Sequence, residues 1–198
     1  VPTRFVLLGQ RASASPDFLL DDLAGTSGRL DVLLRALRAA LMVSHGLRRD
    51  AIAYLVLGGG AERRCLRFDG ATAKFLRPEE RSLATLVKKT LAVPCESPTF
   101  TDVRPGIAAA RGGLEAVLAD CVGATPYVLE EGAPDIRDAH IATPNAVFFF
   151  GDHLGFDPEA RAKLAEIGAT PLGLGPVSVH AEDAVAIVAN ELDRRAAR

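Results

Sequence analysis

The chain has little cysteine, and what it has is poorly placed for cross-linking or metal binding. Cys65, Cys95 and Cys121 are odd in number and widely spaced, with no C-x-x-C pair. That pattern argues against a disulfide framework and a zinc site, and it suits a reducing cytoplasm. Long apolar runs are missing too. No stretch approaches the roughly 20 residues that a membrane-crossing helix needs, so no membrane partner is expected. The opening Val1-Pro2-Thr3-Arg4-Phe5-Val6-Leu7-Leu8 is too short in its apolar part for a signal peptide and reads as a first strand. His45, His140, His153 and His180 are scattered, so no metal ligation is expected. Familiar nucleotide and hydrolase signatures are also lacking. Gly58-Gly59-Gly60 is followed by no Gly-Lys-Ser/Thr, no G-x-G-x-x-G occurs, and no G-x-S-x-G occurs. Kinase, GTPase, ordinary NAD-enzyme and Ser-His-Asp readings lose their support.

What is present is enough apolar material for one core. Of 198 residues, 48% are hydrophobic and 24% charged, so residues 1–198 are expected to form a single domain. Charge is unevenly divided. Residues 1–100 carry 15 Lys and Arg against 10 Asp and Glu, while residues 101–198 carry 8 against 15. A basic half suits phosphate contacts, and also arises as an ordinary surface fluctuation.

Strands alternate with helices along the chain, which argues for an α/β fold with a mainly parallel sheet flanked by helices. Strands are expected at about 4–9, 51–57, 127–129, 146–150 and 172–174. Arg64-Cys65-Leu66-Arg67-Phe68 alternates with period two and reads as an exposed or edge strand. Leu30, Leu33, Leu34, Leu37 and Leu41 form one helical stripe running to about Ser44, capped by Thr26 or Ser27. Pro78 is expected at the first position of a helix ending near Ala92. Lys88 and Lys89 in its last turns suit the helix dipole better than they argue for RNA. Residues 93–113 read as an irregular connection. Further helices are expected at 114–120, from Asp157-Pro158, and at about 179–195.

Two strand endings draw attention as chemistry. Phe148-Phe149-Phe150 runs into Gly151-Asp152-His153-Leu154-Gly155, and the last strand runs into Gly173-Leu174-Gly175-Pro176-Val177. Open α/β sheets bind ligands beyond the carboxyl ends of their strands, and glycine lets backbone approach a ligand closely. Asp152 and His153 could contact a ligand, or could simply form an Asx turn with a solvated histidine. Arg29 and Asp31, two apart at a helix start, could hold phosphate or polarise a base, or form a local surface ion pair.

Five segments, taken in order, carry a resemblance that spans nearly the whole chain. They are Gly25-Thr26-Ser27-Gly28-Arg29-Leu30-Asp31, Val43-Ser44-His45-Gly46-Leu47-Arg48-Arg49-Asp50, Pro78-Glu79-Glu80-Arg81, Gly151-Asp152-His153-Leu154-Gly155, and Gly175-Pro176-Val177-Ser178-Val179-His180-Ala181. Together they resemble the TrmY family, the archaeal tRNA pseudouridine N1-methyltransferases of the SPOUT superfamily. The resemblance implies a SPOUT-type knotted fold with a C-terminal trefoil knot, S-adenosylmethionine as methyl donor, and a homodimer with interfacial active sites. Residues 125–198 would form the knotted, cofactor-binding part and residues 1–100 the RNA side. Carried over by position, Leu129, Gly151, Leu172, Gly173, Leu174, Gly175, Pro176 and Val177 would contact the cofactor. Arg29 and Asp31 would be catalytic, with Asp31 accepting a proton or orienting the base, and Arg48 and Arg49 would contact the RNA backbone. Where the family is expected to have a cysteine this chain has Ala184, which suggests a divergent, bacterial branch. Two alternatives remain open: a SPOUT methyltransferase with another RNA or a small-molecule substrate, and a cofactor- or RNA-binding dimer that has lost catalysis. A flavodoxin-like redox protein is a third.

Overall fold

The computed structural model describes residues 1–74 and 76–197. In chain order its elements are β1 (Thr3–Ser13), a 3-10 turn (Leu20–Asp22), α1 (Leu23–Thr26), α2 (Leu30–Leu41), β2 (Met42–Val43), β3 (Gly46–Leu47), β4 (Ala51–Gly59) and β5 (Arg64–Asp69). There follow α3 (Glu80–Leu91), β6 (Thr101–Arg104), β7 (Ile107–Arg111), α4 (Leu114–Asp120), β8 (Thr125–Leu129), β9 (Ala146–Gly151), α5 (Pro158–Glu166), β10 (Thr170–Leu172) and α6 (Ala181–Ala196).

One eight-stranded sheet runs in the order β10-β8-β9-β1-β4-β5-β7-β6. The five strands from β10 to β4 are mutually parallel, and β5, β7 and β6 extend them antiparallel. Both faces are covered, which is why β1 and β9 are apolar without alternation. On one face Phe5, Leu7, Leu55, Phe148 and Phe150 pack with the leucine stripe of α2 and with α3 and α6. On the other, Val6, Leu8, Val56 and Phe149 pack against Val117 of α4 and Leu164 of α5. Each fully buried Phe or Leu contributes about 1.5–3 kcal/mol relative to exposure. Phe148 stacks on Tyr127 and Phe5, with centroids 5.2 and 6.3 Å apart, and this ties β8, β9 and β1 together.

Four expectations need correction. Residues 93–113 are not irregular throughout. β6 and β7 form a hairpin turned at Pro105-Gly106, with Gly106 at φ 70°. Because that hairpin adds to the sheet, β5 lies inside it between β4 and β7 rather than at an edge. The α2 helix stops at Leu41, since Met42–Val43 pair with Gly46–Leu47 instead. The last strand is Thr170–Leu172, two residues earlier than expected, because Gly173 turns to bond another loop. A smaller shift concerns α3, whose N-cap is Glu79, leaving Pro78 one residue outside it. By contrast Asp157 caps α5 as expected, its carboxylate accepting from the Ala160 N–H at 2.7 Å.

Candidate functional site

Because β10, β8 and β9 are parallel neighbours, their carboxyl ends share one edge of the sheet. That edge brings together Leu129, Gly151 and the segment Leu172–Val177. Leu129 pairs directly with Leu172 across β8 and β10. Gly173 then bonds the segment after β8. Its N–H donates to the Pro134 carbonyl at 2.8 Å, and its own carbonyl accepts from the Ile136 N–H at 2.9 Å. A β-carbon at Gly173 would stand 2.3 Å from the Ala133 oxygen, so only glycine fits. Gly151 is comparably tight, its β-carbon position lying 2.7 Å from the backbone of Gly155.

Beyond Gly173 the loop opens. Gly175 has φ 114° and nothing within 4 Å of its β-carbon position. Leu174 is half-buried against the core, while Pro176, Val177 and Ser178 are exposed. Among the described residues, the backbone N–H groups of Gly175, Val177 and Ser178 have no protein acceptor. A loop with fixed roots, bare backbone and free donors suits a ligand carrying several polar atoms on a flat ring. The residues present therefore fit an adenosyl group.

Arg29 and Asp31 sit where α6, the helix leaving that loop, meets α2. Gly28 and Arg29 are both left-handed, at φ 62° and 68°. A β-carbon on Gly28 would collide with the Arg11 carbonyl at 1.8 Å, so that residue must be glycine. Arg29 in this conformation costs on the order of 1–2 kcal/mol. The N-cap of α2 is Arg29, without a side-chain cap, rather than Thr26 or Ser27 as expected; the Ser27 hydroxyl, two residues earlier, still accepts from the Leu30 N–H at 3.1 Å. Arg29 reaches Asp31 through Nε at 3.0 Å and Nη2 at 3.2 Å. Its side chain is 44% exposed against 6% for Asp31, which places the open edge of the guanidinium toward solvent.

Arg35, one turn further along α2, joins three helix starts. It bonds Asp31 at 3.0 Å, Glu80 of α3 at 3.2 Å and Glu182 of α6 at 2.8 Å. Burial alone would raise the pKa of Asp31, but hydrogen bonds from Arg29 and Arg35 outweigh it and hold the carboxyl below its usual range. Glu182 behaves likewise, burial being outweighed by its own backbone N–H and by Arg35. Both are thus held ionised. Arg35 was not anticipated from the sequence. Its spacing of four from Asp31 was the available signal, but the partners Glu80 and Glu182 lie far off in the chain.

Other candidates are already engaged. Asp152 accepts from the Leu154 N–H at 2.8 Å, an Asx turn, and from the Gln10 N–H at 2.9 Å. It holds β9 to β1 rather than facing the open loop. His153 and His180 are exposed. Arg48 makes a bidentate pair with Asp193, both bonds 2.7 Å, and Arg49 donates to the carbonyls of Gly70 and Ala71 at 3.0 Å each. Phosphate would have to compete with these partners. Among the described residues, no group of three or more His, Cys, Asp or Glu is placed to hold a metal, and no helix is long and apolar enough to cross a membrane.

The arrangement defines an α/β protein with a mainly parallel sheet flanked by helices, and solved structures share that fold. Over its full length the chain matches all of Archaeoglobus fulgidus Nep1, solved bound to S-adenosylhomocysteine, with a TM-score of 0.69 at 16% identity. Against a Legionella pneumophila protein described as a "putative methyltransferase" and solved with the bound cofactor SAM, the TM-score is 0.51 at 12% identity, covering 98% of this chain and 66% of that one.

The chain belongs to the family described as "Putative SAM-dependent RNA methyltransferase", whose model matches residues 3–197. Among relatives named tRNA (pseudouridine(54)-N(1))-methyltransferase, that of Methanosarcina acetivorans is 38% identical, with 96% of this chain and 90% of the relative covered. Those of Methanocorpusculum labreanum and Halobacterium salinarum are each 37% identical, covering 97% and 96% of this chain and 97% and 95% of theirs. These matches support the TrmY resemblance. All three organisms are archaeal, so the bacterial branch expected from Ala184 finds no support in them.

Proposed function

We propose that this chain, a single domain, transfers a methyl group from S-adenosylmethionine to N1 of pseudouridine in tRNA, at the position 54 that its relatives' names give. The observation that carries the reading is the contact chain Arg29–Asp31–Arg35–Glu182. It ties a guanidinium with an open edge to the helix that leaves the glycine loop. When bound, S-adenosylmethionine supplies a methyl group activated by its positive sulfonium. Leu129, Gly151 and Leu172–Val177 would hold the adenosyl group through backbone contacts. Arg29 meets the uracil carbonyls and stabilises negative charge developing there. Positioning N1 in line with the methyl–sulfur bond does most of the rest.

Transfer replaces the N1 proton with a methyl group, so one proton leaves. Of the two roles open to Asp31, positioning is the one its surroundings support. A carboxylate held ionised by two guanidinium groups is a weakened base, and it is a good clamp for Arg29. The departing proton passes to solvent. Ala184 packs in the core with Val185 and Val188, so its exchange for cysteine alters packing there rather than the open loop. That placement supports a chain that retains turnover over one that has lost it. Exposed Val177 and Val179, beside the start of α6, offer apolar surface to a second copy of the chain, which completes a homodimer. The trefoil knot belongs to the same reading as what the resemblance implies, and the hydrogen bonds of Gly173 to Pro134 and Ile136 are in keeping with it. Three free cysteines suit a cytoplasmic setting. Residues 125–197 form the donor side, and the target base flips out of folded RNA to reach them.

Incubation with the methyl donor and two tRNA transcripts, identical except for pseudouridine or uridine at position 54, tests the proposal. Nucleoside mass spectrometry is expected to find N1-methylpseudouridine from the first and no methylated base from the second. Methylated uridine, or no product from either, contradicts it.

A further inference from the structure

Much of the positive charge in the basic half is spoken for. Arg29, Arg35, Arg48, Arg63 and Arg67 each face a carboxylate. Arg49 and Arg64 donate to backbone carbonyls. Lys88 turns back to the Phe18 carbonyl, with its amine 5.2 Å from the centre of that ring. Among the exposed cations that remain, which include Arg11 and Arg38, four lie together. Lys74, Arg77, Lys89 and Arg104 are all exposed, and no hydrogen bond or ion pair to a described residue engages any of them. All four line one groove between α3 and the β6–β7 turn, of about 540 Å³.

The groove carries no Asp or Glu among its described lining residues. Its floor is Leu86 and Ile107, and Ser82 on its wall adds a hydroxyl donor. Converging cations repel one another within a Debye length of about 8–10 Å, so such a cluster lowers stability until an anion arrives. The space is larger than one phosphate fills, and the charges come from the 74–77 segment, α3 and the β6–β7 hairpin. A chain of phosphates matches that spread. No Asn or Gln is among its described lining residues, and cations that meet phosphate position an RNA without reading its sequence.

We infer that this groove binds the phosphate backbone of the RNA substrate at a second place, at the far end of the sheet from β10 and its loop. The inference rests on the reading of the chain as an RNA methyltransferase and extends the RNA footprint beyond the site. Lys88 and Lys89 show why the sequence did not reveal it. Both are last-turn cations on one helix, yet only Lys89 lines the groove.

The test is equilibrium binding of a tRNA transcript across a salt series, for the wild type, for K74Q/K89Q/R104Q and for the charge-preserving K74R/K89R/R104K. All three positions are exposed, and a thermal melt with S-adenosylmethionine affinity verifies that folding and the cofactor site are intact. The glutamine variant is expected to bind RNA at least tenfold more weakly at low salt. The slope of log affinity against log salt should become shallower by about two to three units. Its KM for RNA should rise while kcat at saturating RNA stays unchanged, and the charge-preserving variant should match the wild type. If the wild type methylates RNA and the glutamine variant binds with the same affinity and slope, the groove proposal is overturned while the function stands. If the wild type neither binds nor methylates RNA, the underlying reading falls with it.

Discussion

Gly173→Val is expected to abolish measurable S-adenosylmethionine binding, raising Kd more than 100-fold. The β-carbon position is 2.3 Å from the Ala133 oxygen, and that neighbour is backbone, which cannot swing aside as a side chain would. The valine fits only if the strand end moves. Moving it breaks the Gly173–Pro134 and Ile136–Gly173 hydrogen bonds that root the loop. Each buried group left unpaired costs about 1–3 kcal/mol. Without those roots Leu174–Val177 lose their alignment with Leu129 and Gly151. Circular dichroism separates this from general unfolding, because the core around Phe149, on the other face of the sheet, includes neither Leu172 nor Ile136. Gly175→Ala is the companion case. Its β-carbon meets nothing within 4 Å, but φ 114° is a backbone conformation that alanine rarely adopts, so the substitution should reshape the loop and weaken binding without melting the chain. Calorimetry reads both, and wild-type affinity in the valine variant would remove the loop from the cofactor site.

Arg29→Gly separates catalysis from stability in the opposite direction. Arg29 holds φ 68°, a conformation that glycine adopts freely. The substitution relieves local strain, so the fold should hold its melting temperature although the Arg29–Asp31 pair is lost. Asp31 keeps Arg35 as partner. Methyl transfer should nevertheless fall by about 100- to 1,000-fold in kcat, the range seen when one preorganised donor to developing charge is removed. S-adenosylmethionine affinity should be unchanged. Lysine at the same position should recover little, because it lacks the planar fork that grips Asp31 and presents a further edge outward. Full turnover in the glycine variant would strip Arg29 of any catalytic role.

The parallel half of the sheet was legible from the sequence because its strands announce themselves. Ala51–Leu57 and Val147–Phe150 are continuous apolar runs, as burial on both faces requires. The antiparallel half was obscure. β7 is Ile107-Ala108-Ala109-Ala110-Arg111, and alanine carries no strand preference. It is a strand because β5 and β6 pair with it on either side, a tertiary effect that no local pattern reports. Missing that hairpin also made β5 look like an edge, and it hid Arg104 and the groove. At the site, glycines at strand ends marked Gly151 and Gly173 in advance, since close backbone approach demands glycine. The network around Asp31 could be half read. The pair with Arg29 is local, whereas Arg35 acquires Glu80 and Glu182 only when α3 and α6 pack beside α2. The role of Asp152 followed the same logic, because its second acceptor contact is with Gln10, a residue 142 positions away.

A crystal structure with S-adenosylhomocysteine bound tests the central claim most directly. The account predicts the adenosyl group at the joined ends of β8, β9 and β10, wrapped by Gly173–Val177. A second crevice, about 50 Å³ and lined by Gly9, Gly58, Gly155 and Phe156, opens elsewhere at the sheet's edge. Ligand density there, with the Gly173–Val177 loop untouched, would contradict the account.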